Sequence, residues 1–308
     1  MQVTAPESGA MFDHWAIWLL HQRHGDDALY RTHLQTRLLH YADRVLDAAA
    51  LSDGARLLDI GTGDGLVAFR ALERMGDRLA VTMADTSASI LRLAEGLAKQ
   101  RGVARRCQLL QTDAQDLALV GDGAIDAVTT RSVLTYVADK PAAFRAMLRV
   151  LRPGGRLSIA EPVMRDDALN AIALRAVLDR RDPENKDRLL PLLHRWKSAQ
   201  YPDSTERLEE TPMTNYTERD LLRFAQNAGF VDLDLQLHIH VDPPRPISWQ
   251  TFLNISPHPL APTLGAVMQE RFSETEISYF ESVLRPAIEG GTFPSSERMA
   301  YMSATKPI

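Results

Sequence analysis

Apolar and polar positions follow different rhythms in different stretches of this chain. Over 11–24, apolar residues recur at helical spacing, with Phe12, Trp15, Trp18 and Leu19 on one face. A second helix is predicted from Asp26 or Asp27 to Ala50, where Leu34, Leu38, Tyr41 and Val45 recur at steps of three and four. From Arg56 to Glu161 short apolar runs alternate with amphipathic stretches. The runs predict strands at 56–60, 79–84, 106–111, 124–130 and 155–160, with helices between them at about 65–75, 87–101 and 139–150. Alternation at this spacing builds a parallel sheet covered on both faces, with right-handed crossovers.

After Glu161 the alternation stops. Residues 166–200 read as a helical, charged insertion. Thr217 and Asp220 form a capping-box pair, and the helix they start ends near Gly229. Residues 231–240 alternate as a strand does. The run Asp242-Pro243-Pro244-Arg245-Pro246 is a stiff turn, and 247–290 is mostly helical, with a second capping box at Ser273 and Glu276. A last strand is predicted over 298–306. The chain thus divides into an N-terminal helical cap (1–44), a core (45–161), a helical insertion (162–216), a core helix and sixth strand (217–241), a second cap insertion (242–297) and a final core strand (298–308). All four tryptophans and all nine histidines lie outside the alternating core, which points to a generic scaffold under a specialised cap.

Composition narrows the function classes. The formal charge is -5 with dispersed lysines and arginines, which disfavours a nucleic-acid partner. Cys107 is the single cysteine, so neither an internal disulfide nor a zinc site of several thiolates can form. The opening run Met1 to Glu7 has no basic segment and no long apolar segment, and 15–20 is too short to span a bilayer. The expectation is a cytoplasmic protein without membrane contact.

The chemistry is concentrated in Arg56-Leu57-Leu58-Asp59-Ile60-Gly61-Thr62-Gly63-Asp64-Gly65. An apolar strand ends beside an acid and leads through alternating glycines into a helix. Glycine lets the backbone turn sharply and approach a ligand closely, and such sheets bind ligands at the carboxyl ends of their strands. A dinucleotide site wants Gly-x-Gly-x-x-Gly facing a pyrophosphate. Here the third glycine comes one residue early, and Asp59 and Asp64 suit a ligand with an ammonium and a sulfonium better than an anion. The second strand ends in Asp85, placed to accept hydrogen bonds from ribose hydroxyls, and the third leads to Thr112-Asp113-Ala114.

With these residues in view, the chain resembles the class I S-adenosylmethionine-dependent methyltransferases of small-molecule type. Leu57 to Gly65 is similar to their glycine-rich first motif, Asp85 to the ribose-binding acid and Asp113-Ala114 to the adenine-contacting pair. Ile125 to Val133 matches the fourth-strand motif, and Leu151-Arg152-Pro153-Gly154-Gly155 the turn before the fifth strand. The resemblance covers about 45–161, with a weaker match at 217–240. It implies an α/β fold with a Rossmann-like, doubly wound sheet of seven strands, the last antiparallel, and S-adenosyl-L-methionine as cofactor. By the same resemblance Gly61 and Gly63 meet the methionine part and Asp59 orients its ammonium. Thr62, Thr86, Arg131 and Ser132 join the cofactor contacts.

Methyl transfer demands in-line alignment and exclusion of water, so a cap is expected. Trp15 and Trp18 are candidates to close the cofactor pocket, or else they anchor an amphipathic helix on the core. Tyr136 is a candidate to face the methyl group, or else a packing tyrosine. Glu161 is a candidate to accept a proton or bind a cation, or else a solvated loop acid. A histidine base would come from His14, His194 or His258, each of which also reads as structural. His238 and His240, and His21 and His24, share faces but lack further metal ligands, so no metal is expected. The acceptor is expected to be a small, partly apolar or aromatic molecule, a metabolite or natural-product intermediate, and the exposed helical insertions suit a homodimer. The rival readings are a cofactor-binding regulatory protein without transfer activity and a nicotinamide-dependent oxidoreductase.

Overall fold

A computed structural model describes residues 12–308 except 183, 185, 244 and 294. The leader reading at 1–7 and Pro244 of the stiff turn therefore lie outside the described residues. Seven strands form one sheet: β1 (Arg56–Ile60), β2 (Ala80–Asp85), β3 (Cys107–Gln111), β4 (Ile125–Arg131), β5 (Leu151–Pro162), β6 (Val231–Asp242) and β7 (Ser295–Thr305). Their order is β3-β2-β1-β4-β5-β7-β6. The first five are parallel, and β7 runs antiparallel between β5 and β6. The expected doubly wound sheet with an antiparallel last strand is therefore present. The order reverses between β1 and β4, which places the ligand crevice at their carboxyl ends.

Helices cover both faces. The N-terminal segment forms a short α1 (His14–Ile17), which runs into a π-helical turn (Trp18–Gln22), and then α2 (Ala28–Ala49). The sheet helices α3 (Leu66–Met75), α4 (Ala88–Gln100) and α5 (Lys140–Val150) follow their strands. α2 buries Tyr41, Val45 and Leu46 with Leu57, Phe69, Leu72 and Met83 on one face. On the other face Phe144 and Met147 of α5 pack with Val128 and Leu157. The predicted division at 44/45 falls inside α2, which packs on the sheet as one helix.

The insertion over 162–216 contains three helices, α6 (Arg165–Asp179), α7 (Leu189–Gln200) and α8 (Thr205–Glu210), rather than one continuous stretch. The core helix α9 (Glu218–Ala228) starts at the Thr217–Asp220 capping box and stops at Gly229, as its sequence predicts. The second insertion supplies α10 (Trp249–Asn254), α11 (Leu264–Arg271) and α12 (Glu274–Glu289). The two insertions share one apolar core: Trp196 of α7 lies edge-on to Phe252 (5.8 Å) and Phe280 (6.1 Å). Two details differ from the periodicity. β5 begins at Leu151, so the Arg-Pro-Gly-Gly run lies within an irregular strand start, and β7 begins at Ser295 rather than 298.

The N-terminal segment docks on this cap. The Trp18 indole N–H donates to the Ser256 carbonyl (3.0 Å), the Ser256 N–H donates to the Gln22 carbonyl (2.9 Å), and the Thr251 hydroxyl donates to Asp27 (2.8 Å). His258 then ties the cap internally. Its Nε2 bonds the Gln200 carbonyl at 2.9 Å, and its ring lies edge-on to Tyr201 at 5.3 Å. The ring is buried, and burial pushes its pKa down from 6.5 to about 4. A histidine held neutral contributes stability that is complete above its unfolded pKa and is lost as pH falls from there toward the folded value. The shift corresponds to about 3 kcal/mol. The wild-type Tm is thus expected to fall between pH 6.5 and pH 4 more steeply than that of His258→Gln, measured by circular dichroism at matched salt.

Candidate active site

A cavity of about 340 Å³ opens beyond the carboxyl ends of β1, β2 and β4. Gly61 and Gly63 form one wall, Asp85 and Thr86 a second, and Thr112 to Gln115 a third. Arg131, Ser132, Val133 and Tyr136 close the far side. Trp15, Trp18 and Leu19 from the N-terminal segment, with Pro259 from the cap, form the lid.

The glycine wall follows from local sterics. Gly61 has φ +62°, and a Cβ there would lie 2.2 Å from Val133 Cγ2. At Gly63, φ +57°, a Cβ would meet nothing nearer than Leu19 at 3.9 Å, so this backbone faces open space. The loop is pinned from below. Asp59 Oδ2 accepts the Thr62 hydroxyl and Oδ1 the Thr129 hydroxyl, each at 2.8 Å. Burial raises the Asp59 pKa to about 6, against the pull of those hydroxyls. Asp59 and Thr62 thus sit beneath the cavity wall instead of lining it, with both carboxylate oxygens engaged by hydroxyls.

Asp85 is on the wall. Its oxygens accept from the Gly63 N–H (3.2 Å) and the Ser87 N–H (3.0 Å), and burial raises its pKa against those donors. Asp113 Oδ1 accepts from the backbone and side chain of Gln115, fixing the turn after β3. The lid is fastened to the same region, because the Ser87 hydroxyl donates to Asp13 (2.6 Å), which also caps α1.

One guanidinium lines the site, and a second, outside the lining, feels its charge. Arg131 lines the cavity, and its guanidinium donates to the Ser132 hydroxyl at 3.2 Å. Arg23 lies over the Trp18 ring at 5.8 Å. Burial, then the charge of Arg131, lowers its pKa to about 10.

The candidate catalytic groups separate. Tyr136 is on the cavity wall, edge-on to Trp15 at 5.1 Å, and burial followed by the Glu161 charge raises its phenol above the ordinary range. Glu161 does not line the cavity. It is fully buried and accepts from the Thr130 hydroxyl and the Val133 and Thr135 N–H groups, so it holds the loop after β4. His14 is exposed, against Trp15, and off the wall. His194 pairs with Asp203 at 3.1 Å. His21 and His238 are held by Asp26 and Arg44. Among the described residues no group of three or more His, Cys, Asp or Glu side chains could hold a metal ion, and no helix is long and apolar enough to cross a membrane.

The remaining residues fit S-adenosylmethionine. Gly63 leaves room at the backbone, the Asp85 carboxylate suits a pair of hydroxyls, and the Arg131 guanidinium suits a carboxylate. Ile60, Ile90, Ala114 and Val137 provide apolar wall for a purine. Leu19 and Pro259 in the lining, and Arg23 beside it, escaped the sequence reading of the site. Leu19 showed only as one more apolar position on a helix face, and Arg23 and Pro259 carry no motif.

Residues 51–229 match the family described as the methyltransferase domain. The chain belongs to this family, whose cofactor is S-adenosylmethionine. It is 34% identical over 116 residues to the ubiquinone/menaquinone biosynthesis C-methyltransferase UbiE of Idiomarina loihiensis and 38% identical to that of Pseudomonas putida. Each match covers 38% of this chain and just under half of the relative, 46% and 45%. Among solved structures, the BH2331 protein of Bacillus halodurans has a TM-score of 0.52 at 17% identity, covering 87% of this chain and 99% of that one. YcgJ of Bacillus subtilis has a TM-score of 0.51 at 15% identity, with the same coverage. These likenesses establish the fold.

Gly61→Ala tests the glycine wall. Its positive φ and the 2.2 Å approach to Val133 oppose any side chain. The variant is expected to lose about 1–3 kcal/mol of stability in urea unfolding, together with most of its affinity for S-adenosylhomocysteine.

Proposed function

We propose that this protein transfers the methyl group of S-adenosylmethionine to a small-molecule acceptor bound at the Tyr136 end of the cavity. One observation carries the reading: four strand-end loops, a lid from the N-terminal segment and a cap loop converge on one cavity. An acid, Asp85, and a guanidinium, Arg131, both line that cavity. When bound, the cofactor supplies a methyl group already activated by its sulfonium. The chain's residues then have to bind, align and keep out water. Asp85 takes the ribose hydroxyls, Asp113 and Ala114 the adenine, and Gly61 and Gly63 the methionine stem. Thr86 and Ser132 add contacts beside them. Arg131 holds the methionine carboxylate, and the charge of Arg23 adds to its pull. Trp15 and Trp18 close the site, and their indoles are fixed by Tyr136 and Ser256. Alignment of this kind supplies roughly 7–11 kcal/mol in favourable cases.

The UbiE relatives are C-methyltransferases of quinone biosynthesis, and the shared stretch leaves more than half of this chain outside the match. The acceptor is therefore a matter for the cap. Calorimetric titration with S-adenosylmethionine, S-adenosylhomocysteine and NAD tests the reading. Saturable binding of both sulfur ligands is expected, with at least about a tenfold loss in Asp85→Ala. Binding of NAD alone, or of none of the three by folded protein, overturns it.

A further inference from the structure

The sheet ends in two unlike edges. β3 on one side has five residues, whereas β6 on the other has twelve and, among the described residues, pairs with β7 alone. Its outer side presents a row of backbone donors and acceptors that no strand of this chain takes up. Long edges of this kind invite another strand, and they are usually blunted by lysine, proline or a bulge. β6 carries one bulge near its start, between Val231 and Asp234, where Asp232 has φ +52°. From 234 to 241 its register with β7 is unbroken, and that stretch contains neither lysine nor proline.

Alternate residues of the strand fall on opposite faces. On one face Leu233 and Leu235 pack against the core cluster that includes Leu221 and Ala225 of α9. Farther along the same face Leu237, Ile239 and Val241 are 40%, 63% and 65% exposed, so the apolar stripe runs on past its cover. The other face is polar, with Asp234, Gln236, His238 and His240. Arg44 of α2 orders it. Held over the Tyr301 ring at 4.1 Å, its guanidinium donates to Gln236 Oε1 (2.9 Å) and to His238 Nδ1 (3.0 Å), and the Gln236 amide donates to Asp234 (3.2 Å). A guanidinium can only donate, so Nδ1 of His238 accepts and the ring proton sits on Nε2, which becomes a donor. Burial, then the charges of Arg44 and His40, lowers the pKa of His238 and keeps the ring neutral at neutral pH.

We propose that β6 is a homodimer interface, in which the strands of two copies pair antiparallel about a two-fold axis at Gln236 and join the two sheets into one. The contact lies on the sheet edge rather than on the helical insertions. In this arrangement the strand is its own complement. Asp234 stands opposite the partner's His238, and Asp232, at the bulge, opposite the partner's His240, so each acid meets an imidazole. On the apolar face Leu235 stands opposite the partner's Leu237, Leu233 opposite the partner's Ile239, and Val231 opposite the partner's Val241. The uncovered half of each stripe thereby lies beside the covered half of the other. Only a centre at Gln236 sets both acids opposite histidines, and a slip of one residue would set every apolar side chain against a polar one. A foreign strand would satisfy the backbone equally, but a second copy brings both patterns at once. The contact uses the same patch on both copies, so it closes, and the edges that remain are the two short β3 strands.

Cysteine cross-linking of the full-length chain in a Cys107→Ser background tests the axis. Residues directly opposite in an antiparallel ladder have Cα atoms about 4.5–5.5 Å apart, which a disulfide can bridge. Gln236→Cys is therefore expected to form a disulfide-linked dimer on oxidation with copper phenanthroline, read on a non-reducing gel. Asp234→Cys is expected to stay monomeric on that gel, because its own counterpart lies four residues along the partner strand, about 13 Å away. Sedimentation velocity tests the association itself. Wild type is expected to dimerise, and Ile239→Asp, which sets a carboxylate against the partner's Leu233, to weaken the dimer by at least about tenfold. Residue 239 is exposed in the single chain, so the far-UV circular dichroism of the variant is expected to match wild type. A wild type that sediments as a monomer at every concentration overturns the inference. So does an Ile239→Asp variant that dimerises as tightly as wild type. Absence of cross-linking at 236, or equal cross-linking at 234, overturns it as well.

Discussion

The wall of the active site depends on a carboxylate that never touches it. Glu161, at the end of β5, is removed from water and accepts hydrogen bonds from Thr130 on β4 and from the backbone of Val133 and Thr135 beyond it. A buried carboxylate costs several kcal/mol unless donors replace its water. Here the donors come from the one loop that has to be shaped. That loop includes Ser132 at φ +57°, a conformation unusual for a residue with a side chain. Its consequence is that Arg131, Val133 and Tyr136 face a common space. Val133 in turn limits residue 61 to glycine.

Asp59 does the same one strand over, joining β1 to β4 through Thr129 and the glycine loop through Thr62. Two buried acids thus lock the switch point of the sheet from below, and the acid that faces the cavity, Asp85, is a third. The rigidity of the cofactor wall follows from these short charge-assisted contacts. The lid is tied to the wall and the cap by fewer contacts, chiefly Ser87 to Asp13 and Trp18 to Ser256.

The cap joins segments far apart in the chain. Trp196 from one insertion and Phe280 from the other share a core, and the N-terminal segment crosses over both at Gln22 and Asp27. Together they supply Pro259 and, with the N-terminal segment, the lid over the cavity.

Local patterning determined much of this protein. Strand and helix periodicity, the capping boxes at Thr217 and Ser273, and the glycines at 61 and 63 are short-range signals, and they specified the alternating core and the cofactor class. Asp85 was legible for the same reason, since an acid at a strand end occupies the carboxyl edge whatever surrounds it. Which acids meet the cavity was decided only in three dimensions. Asp59 and Glu161 occupy strand ends as Asp85 does, yet neighbouring strands supply hydroxyls and amides that turn both inward. Arg23 and Pro259 have no local signature at all. Their roles arise from long-range packing of cap on core, because burial and the proximity of unlike groups are properties of the assembled chain.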